Sequence, residues 1–229
     1  MIKENRTSKY MLYAVGEIVL VVIGILIALS INNWNKGKLN KNKEHILLTE
    51  MLDELDLDAK ELRIKILSYE NWIKSNQMVL NHLNMKTVNN DSLGFYYNNL
   101  AGYLIFNNNT STFENLKSIG FDLISSDSLR RQITTLYSKE YPLLKHSTGI
   151  WDSNIQINLF YPQITENIIT NSNGTAQPVN VEILRNNHQF KEMLKLNIGV
   201  KKYSIDVKEK TLILIISLQK NIERELNKK

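Results

Sequence analysis

The sequence predicts an all-α protein: one N-terminal transmembrane helix followed by a helical bundle whose first and last helices are long and coiled-coil-like. Three observations carry this. Met11 to Ile31 is an apolar run of 21 residues with a single charge, Glu17. Apolar residues then recur at helical spacing along most of the chain. Nine Gly and three Pro in 229 residues are too few for the turns of an all-β domain.

The apolar run would form a helix about 31 Å long, close to the thickness of one hydrocarbon core. Tyr10 and Tyr13 at one end and Trp34 at the other suit the headgroup region, where amphipathic rings are favoured. The chain therefore divides into a short tail (1–9), a transmembrane helix (10–34), a basic linker (35–43) and a single helical extramembrane domain (44–229). The run exceeds a signal-peptide core and Glu17 breaks its front. A retained signal-anchor is expected, although Ala28-Leu29-Ser30 has the small residues of a cleavage site.

The formal charge is +5 and the pI near 9.2, but the excess is local. Residues 1–43 hold seven basic and two acidic side chains, and the remainder holds 21 of each. Basic residues beside a membrane helix meet anionic lipid. A nucleic-acid binder would carry them on its folded domain, so nucleic acid is not an expected partner. There is no cysteine, which removes disulfides, thiolate metal sites and a cysteine nucleophile.

The soluble part opens with a long helix from about Glu44 to Met85. Leu48, Leu52, Leu55, Ala59, Leu62, Ile66, Tyr69, Ile73, Asn76, Leu80 and Leu83 alternate steps of four and three, with Asn76 the one polar member of the seam. Leu47, Met51, Leu57, Ile64, Trp72 and Val79 widen the apolar face. That width suits the core helix of an intramolecular bundle; a homo-oligomeric coiled coil is the alternative. A polar break at Thr87–Asp91 precedes a shorter helix over Ser92–Phe106. Ser111-Thr-Phe-Glu114 has the form of a capping box opening a helix that ends at Gly120. Ser126-Asp127 cap another, which Pro142 bends or restarts and which continues from Ile150 to Ile169, with Pro162 a second weak point. Asn171–Pro178 is a surface loop. A last long helix runs from His188 to about Leu226, and its stretch Thr211–Leu218, too short to span a bilayer, is expected in the core.

Residues Ser8–Asn35, above all Ala14-Val-Gly-Glu-Ile-Val-Leu-Val-Val-Ile-Gly-Ile-Leu-Ile-Ala-Leu29 and Ile31-Asn-Asn-Trp-Asn35, resemble an uncharacterised family of bacterial integral membrane proteins, domain-of-unknown-function family 6090, common in Flavobacteria and relatives. Ser111–Gly120 and Asp127-Ser-Leu-Arg-Arg-Gln-Ile133 are similar to a second signature of that family. The resemblance implies an inner-membrane anchor and a helical domain, and it implies no activity.

Few side chains stand out as functional. Glu17, with Gly16 and the small-xxx-small pair Gly24 and Ala28, can drive association of membrane helices, or it can lie at the interface if the span begins at Ile18. Glu50, Glu54 and Asp58 form an acidic stripe at i, i+4, i+8 that a cation or basic partner would neutralise; a solvated face is the simpler reading. The four histidines are isolated, so no metal site is predicted, and neither a catalytic nor a cofactor-binding motif is present.

The sequence thus points to a single-pass membrane-anchored helical protein, foremost a protein-interaction or scaffold module. Its expected partners are membrane lipid, a second copy through the transmembrane and long helices, and another protein. The alternative is an extracytoplasmic ligand-sensing domain acting through a partner subunit; an enzyme is the least expected. The placement is the bacterial inner membrane with the large domain periplasmic. Lysines 36, 38, 41 and 43 argue against that side, but long domains translocate regardless of charge.

Overall fold

The computed structural model describes residues 6–84 and 92–228. The first part of the tail expected over 1–9 and the polar break Thr87–Asp91 lie outside the described residues. Helix α1 (Arg6–Leu83) is followed by α2 (Leu93–Asn98), α3 (Ser111–Ile119), α4 (Asp127–Thr135), α5 (Tyr141–Leu144), α6 (Trp151–Ile155) and α7 (Tyr161–Asn167). A two-stranded antiparallel pair, β1 (Ile168–Thr170) and β2 (Ala176–Pro178), precedes α8 (Val181–Asn186) and α9 (His188–Leu226). The chain forms two compact units, divided at Leu47/Leu48.

In the first unit the basic stretch 35–43, expected as a linker, is helical. It holds no Pro, and Lys, Asn and Leu all tolerate a helix interior. An 18-residue window of α1 reaches a mean hydropathy of 2.7, none of it buried. It is long and apolar enough to cross a membrane. Gly16, Glu17, Gly24 and Ala28 are exposed there, and nothing stands within 4 Å of a Cβ placed on either glycine.

The second unit is a nearly all-α bundle. The α1 seam is covered by this chain's own elements: Leu48, Leu55, Ala59, Leu62, Tyr69, Asn76 and Leu83 are buried, and Leu52, Ile66, Ile73 and Leu80 half-buried. Of the widening set, Leu57 and Ile64 instead face outward. At one end of the bundle Val79, Leu83, Tyr97, Leu100, Phe160, Ile168, Leu184, Phe190 and Leu194 form a continuous apolar core.

Several local expectations are corrected. The helix expected over Ser92–Phe106 stops at Asn98 because the next residues turn their backbone to long-range partners; the carbonyls of Leu100 and Gly102 accept from Asn76, Asn197 and Lys201. The capping box at Ser111 does not form. Thr110 is the cap residue and makes no side-chain cap bond, while the Ser111 hydroxyl donates to Glu54 at 2.5 Å and Thr112 N–H donates to the same carboxylate at 3.1 Å. A carboxylate from α1 is a stronger acceptor at a helix start than a hydroxyl. The loop Asn171–Pro178 is the tip and second strand of a small hairpin, with Gly174 at φ +78°. Thr211–Leu218 is only half core: Ile215 and Leu218 are buried, but Ile213 is 65 % exposed.

From Asp127 to Asn167 the backbone stays helical through both prolines. It does so by interposing π-helical turns at Leu136–Glu140, Lys145–Ile150 and Gln156–Phe160. Two of these end directly before Tyr141-Pro142 and Tyr161-Pro162, where the missing N–H and the ring would disrupt a tight α-turn. The widened turns also explain an unusual buried spacing. Leu144, Thr148, Asp152, Gln156 and Phe160 are all buried, in strict steps of four. In a regular α-helix each such step over-rotates by about 40°, which would carry the stripe round to the far side. Turns closed i to i+5 absorb the surplus and hold Thr148, Asp152 and Gln156 on one face.

Candidate functional site

That face meets α1 and α9 in a fully buried polar network. Lys201 on α9 and Asp152 on α6 are both 0 % exposed and pair at 2.8 Å through both carboxylate oxygens. Lys201 Nζ also donates to the Gly102 carbonyl at 2.5 Å. Tyr69 of α1 donates its hydroxyl to Asp152 Oδ2 at 2.8 Å, and Gln156 donates to Asp152 Oδ1 at 3.1 Å. Gln156 further donates to Asn197 Oδ1, while Asn197 donates to the Leu100 carbonyl and to Asn76 Oδ1. Asn76, the polar residue of the α1 seam, thus belongs to this network; its amide also reaches the Leu100 and Trp72 carbonyls at 2.8 Å. Four separated stretches of chain are tied together by groups that each find partners, the arrangement that makes a buried polar cluster tolerable.

Two groups in the same region are not so provided. Lys208 Nζ and Ser204 Oγ are buried without a hydrogen-bond partner. Lys208 Nζ lies 3.8 Å from the centre of the Tyr69 ring, and Lys201 Nζ lies 4.9 Å from the Tyr69 and Trp72 rings. Burial pushes the Lys201 amine down to about 8, against the pull of Asp152. Burial pushes Lys208 further, to about 7, with Lys201 and Lys65 acting in the same direction and Asp152 opposing. The Tyr69 hydroxyl is held well above its ordinary value by burial and the neighbouring carboxylate.

Trp72 reaches the network because residue 102 is glycine: a Cβ there would overlap the Trp72 indole. Gly102→Ala should therefore destabilise the bundle by roughly 1–3 kcal/mol, the usual cost of overpacking. Thermal unfolding of the full chain in detergent, followed by circular dichroism, checks this; an unchanged midpoint would mean that the indole moves aside freely.

A profile of a family of unknown function, DUF6090, matches residues 17–159, more than half of the chain. The chain belongs to the DUF6090 family. No curated protein and no solved structure matches it. The matched region contains the α1, Gly102 and α6 sides of the network and stops before α9, so both lysines of this DUF6090 chain lie beyond it.

The acidic stripe resolves into separate duties. Glu50 is exposed and Glu54 caps α3. Asp58 is fully buried, its Oδ1 accepting from the Asn109 backbone and amide at 2.9 and 2.8 Å and its Oδ2 from Tyr141 at 2.7 Å. Burial raises the Asp58 carboxyl above its ordinary value, against those hydrogen bonds. Among the described residues no three acidic or imidazole side chains converge as a metal site would require. Arg130 is held by Asp122 and Asp127.

Sequence reasoning missed Asp152, Lys201, Ser204 and Lys208. The signal for the α9 members was present. Phe190, Leu194, Asn197, Lys201, Ser204, Lys208, Thr211, Ile215, Leu218 and Ile222 follow the same steps of four and three as the α1 seam, and every one is buried. The five central members are polar, so a search for apolar seams passes over them.

Proposed function

We propose that this DUF6090 chain is a single-pass protein of the bacterial inner membrane whose helical unit lies on the periplasmic side and acts by binding other proteins, without catalysing a reaction of its own. The observation that carries the reading is the 18-residue window of mean hydropathy 2.7, entirely unburied, on a chain whose second unit has a core of its own. Apolar side chains left in the open on α1 add support: Leu57, Ile64 and Leu67, at i, i+7 and i+10, are 56, 64 and 59 % exposed. Lys60 and Glu61 lie between Leu57 and Ile64, so these are separate apolar points available to a partner rather than a continuous patch. Association of two anchors through Gly16, Glu17, Gly24 and Ala28 belongs to the same reading.

The full chain should stay in the membrane pellet through alkaline carbonate extraction and leave it only with detergent. Because the chain has no cysteine, a single Asn173→Cys in the exposed hairpin tip reports the side. An impermeant maleimide should label it in intact spheroplasts without lysis. Release by carbonate would refute the anchor, and labelling only after lysis would refute the periplasmic placement. A stoichiometric protein partner should copurify under gentle solubilisation; recovery of the chain alone would refute the interaction role.

A second reading, a sensing domain coupled to a partner subunit, is supported by the buried network. Lys201 pairs with Asp152 while a second buried amine, Lys208, has no hydrogen-bond partner, a costly arrangement for a purely structural core.

A further inference from the structure

We propose that Lys208 is a proton-binding site, and that proton uptake there loosens the packing of α9 against the α1 residues of the second unit. This rests on the sensing reading and names what is sensed.

The geometry carries the argument. Lys208 is 0 % exposed, its Nζ lies on the Tyr69 ring, and none of its N–H bonds meets an acceptor. The carboxylate that acts on it, Asp152, is already engaged. Oδ1 accepts from Lys201 and Gln156, and Oδ2 from Lys201 and Tyr69. The other groups acting on Lys208 are Lys65 and Tyr69 from α1 and Lys201 from α9; both lysines repel a second positive charge. As a neutral amine, Lys208 is an amphipathic chain in an apolar seam. As an ammonium it is an unpaired buried charge, which the Tyr69 ring only partly offsets. Ser204, one turn away, adds a hydroxyl that also lacks a partner.

The sign follows from linkage. Burial holds the Lys208 amine near 7 in the closed bundle, whereas an opened, hydrated lysine titrates near 10.4. The open form therefore binds the proton more tightly, and opening rises as pH falls from about 10 to 7 and levels off below.

The test is hydrogen exchange of the full chain in detergent at pH 8 and pH 6, with rates corrected for the intrinsic chemistry of the amide. Opening of the Lys201–Thr211 amides should rise about tenfold between the two. Lys208→Met should keep these amides slow at both values, and Lys208→Arg, charged at both, should make them fast at both. Lysine 13Cε chemical shifts give a direct readout, with one resonance moving near 7, distinct from that of Lys201 moving near 8, present in the native protein and absent from Lys208→Met. A tenfold rise that persists in Lys208→Met would overturn the proposal and point to a histidine such as His82, which bonds Tyr97 at 3.0 Å. No rise in the native chain would overturn it too. If a small molecule nevertheless stabilised the native chain, the sensing reading would stand without the proton.

Discussion

Asp152→Ala should cost about 3–5 kcal/mol of folding stability, the penalty for removing one partner of a buried ion pair. The loss arises less from the attraction removed than from what is left behind. Lys201, fully buried, would keep the Gly102 carbonyl as its only acceptor, and the Tyr69 hydroxyl and Gln156 amide would each lose a bond. Asp152→Leu combined with Lys201→Met removes both charges and should recover most of the deficit, because apolar replacement of a whole buried pair is often neutral or stabilising. Urea unfolding of the detergent-solubilised chain, with both single variants and the double, measures the coupling. A loss below about 1 kcal/mol for Asp152→Ala would show that water enters the seam and solvates Lys201.

The second large effect is expected at Asp58. Asp58→Ala leaves the Tyr141 hydroxyl and two Asn109 donors without their acceptor in a buried place. At roughly 1–3 kcal/mol for each stranded group, less the relief of no longer burying a carboxylate, a net loss of about 2–4 kcal/mol follows. Asp58→Asn keeps one oxygen for Asn109 and should lose about half as much. The pH dependence has a definite sign. Because the folded-state carboxyl is raised above its unfolded value, the group's contribution is fullest below the unfolded value near 3.9 and declines as pH rises through the raised one. The penalty of Asp58→Ala should thus be larger near pH 4 than at pH 7, read from unfolding midpoints at the two values. A penalty independent of pH would mean that Asp58 keeps an ordinary affinity for protons.

Features written in neighbouring residues could be read from the sequence. The long last helix begins at His188 and ends at Leu226 as its pattern indicates, Gly120 terminates α3, and the Ser126 hydroxyl caps α4 by accepting from Leu129 N–H. Each depends on contacts within about one helical turn. What could not be read depends on distant chain. Glu54 takes over a helix start 57 residues away, which no local capping rule can anticipate. The stretch after Asn98 gives up helical hydrogen bonds for partners on α1 and α9. Asp152 was hidden for another reason: a buried stripe with a period of four matches neither the 3.6 of a helix nor the 2 of a strand.

The π turns between Leu136 and Phe160 have a consequence for how this segment can change over time. Each behaves as a residue inserted into a helix that declined to shift its frame. Losing one residue there would let the turn relax to regular α-geometry with everything beyond it still in phase, whereas a residue lost from the α-turns between them would rotate everything beyond it by about 100°. In the second case Asp152 would leave the seam with its own codon intact, and in the first it would stay. In this segment the number of residues is itself a functional variable, and a gap in an alignment deserves to be read as seriously as a substitution.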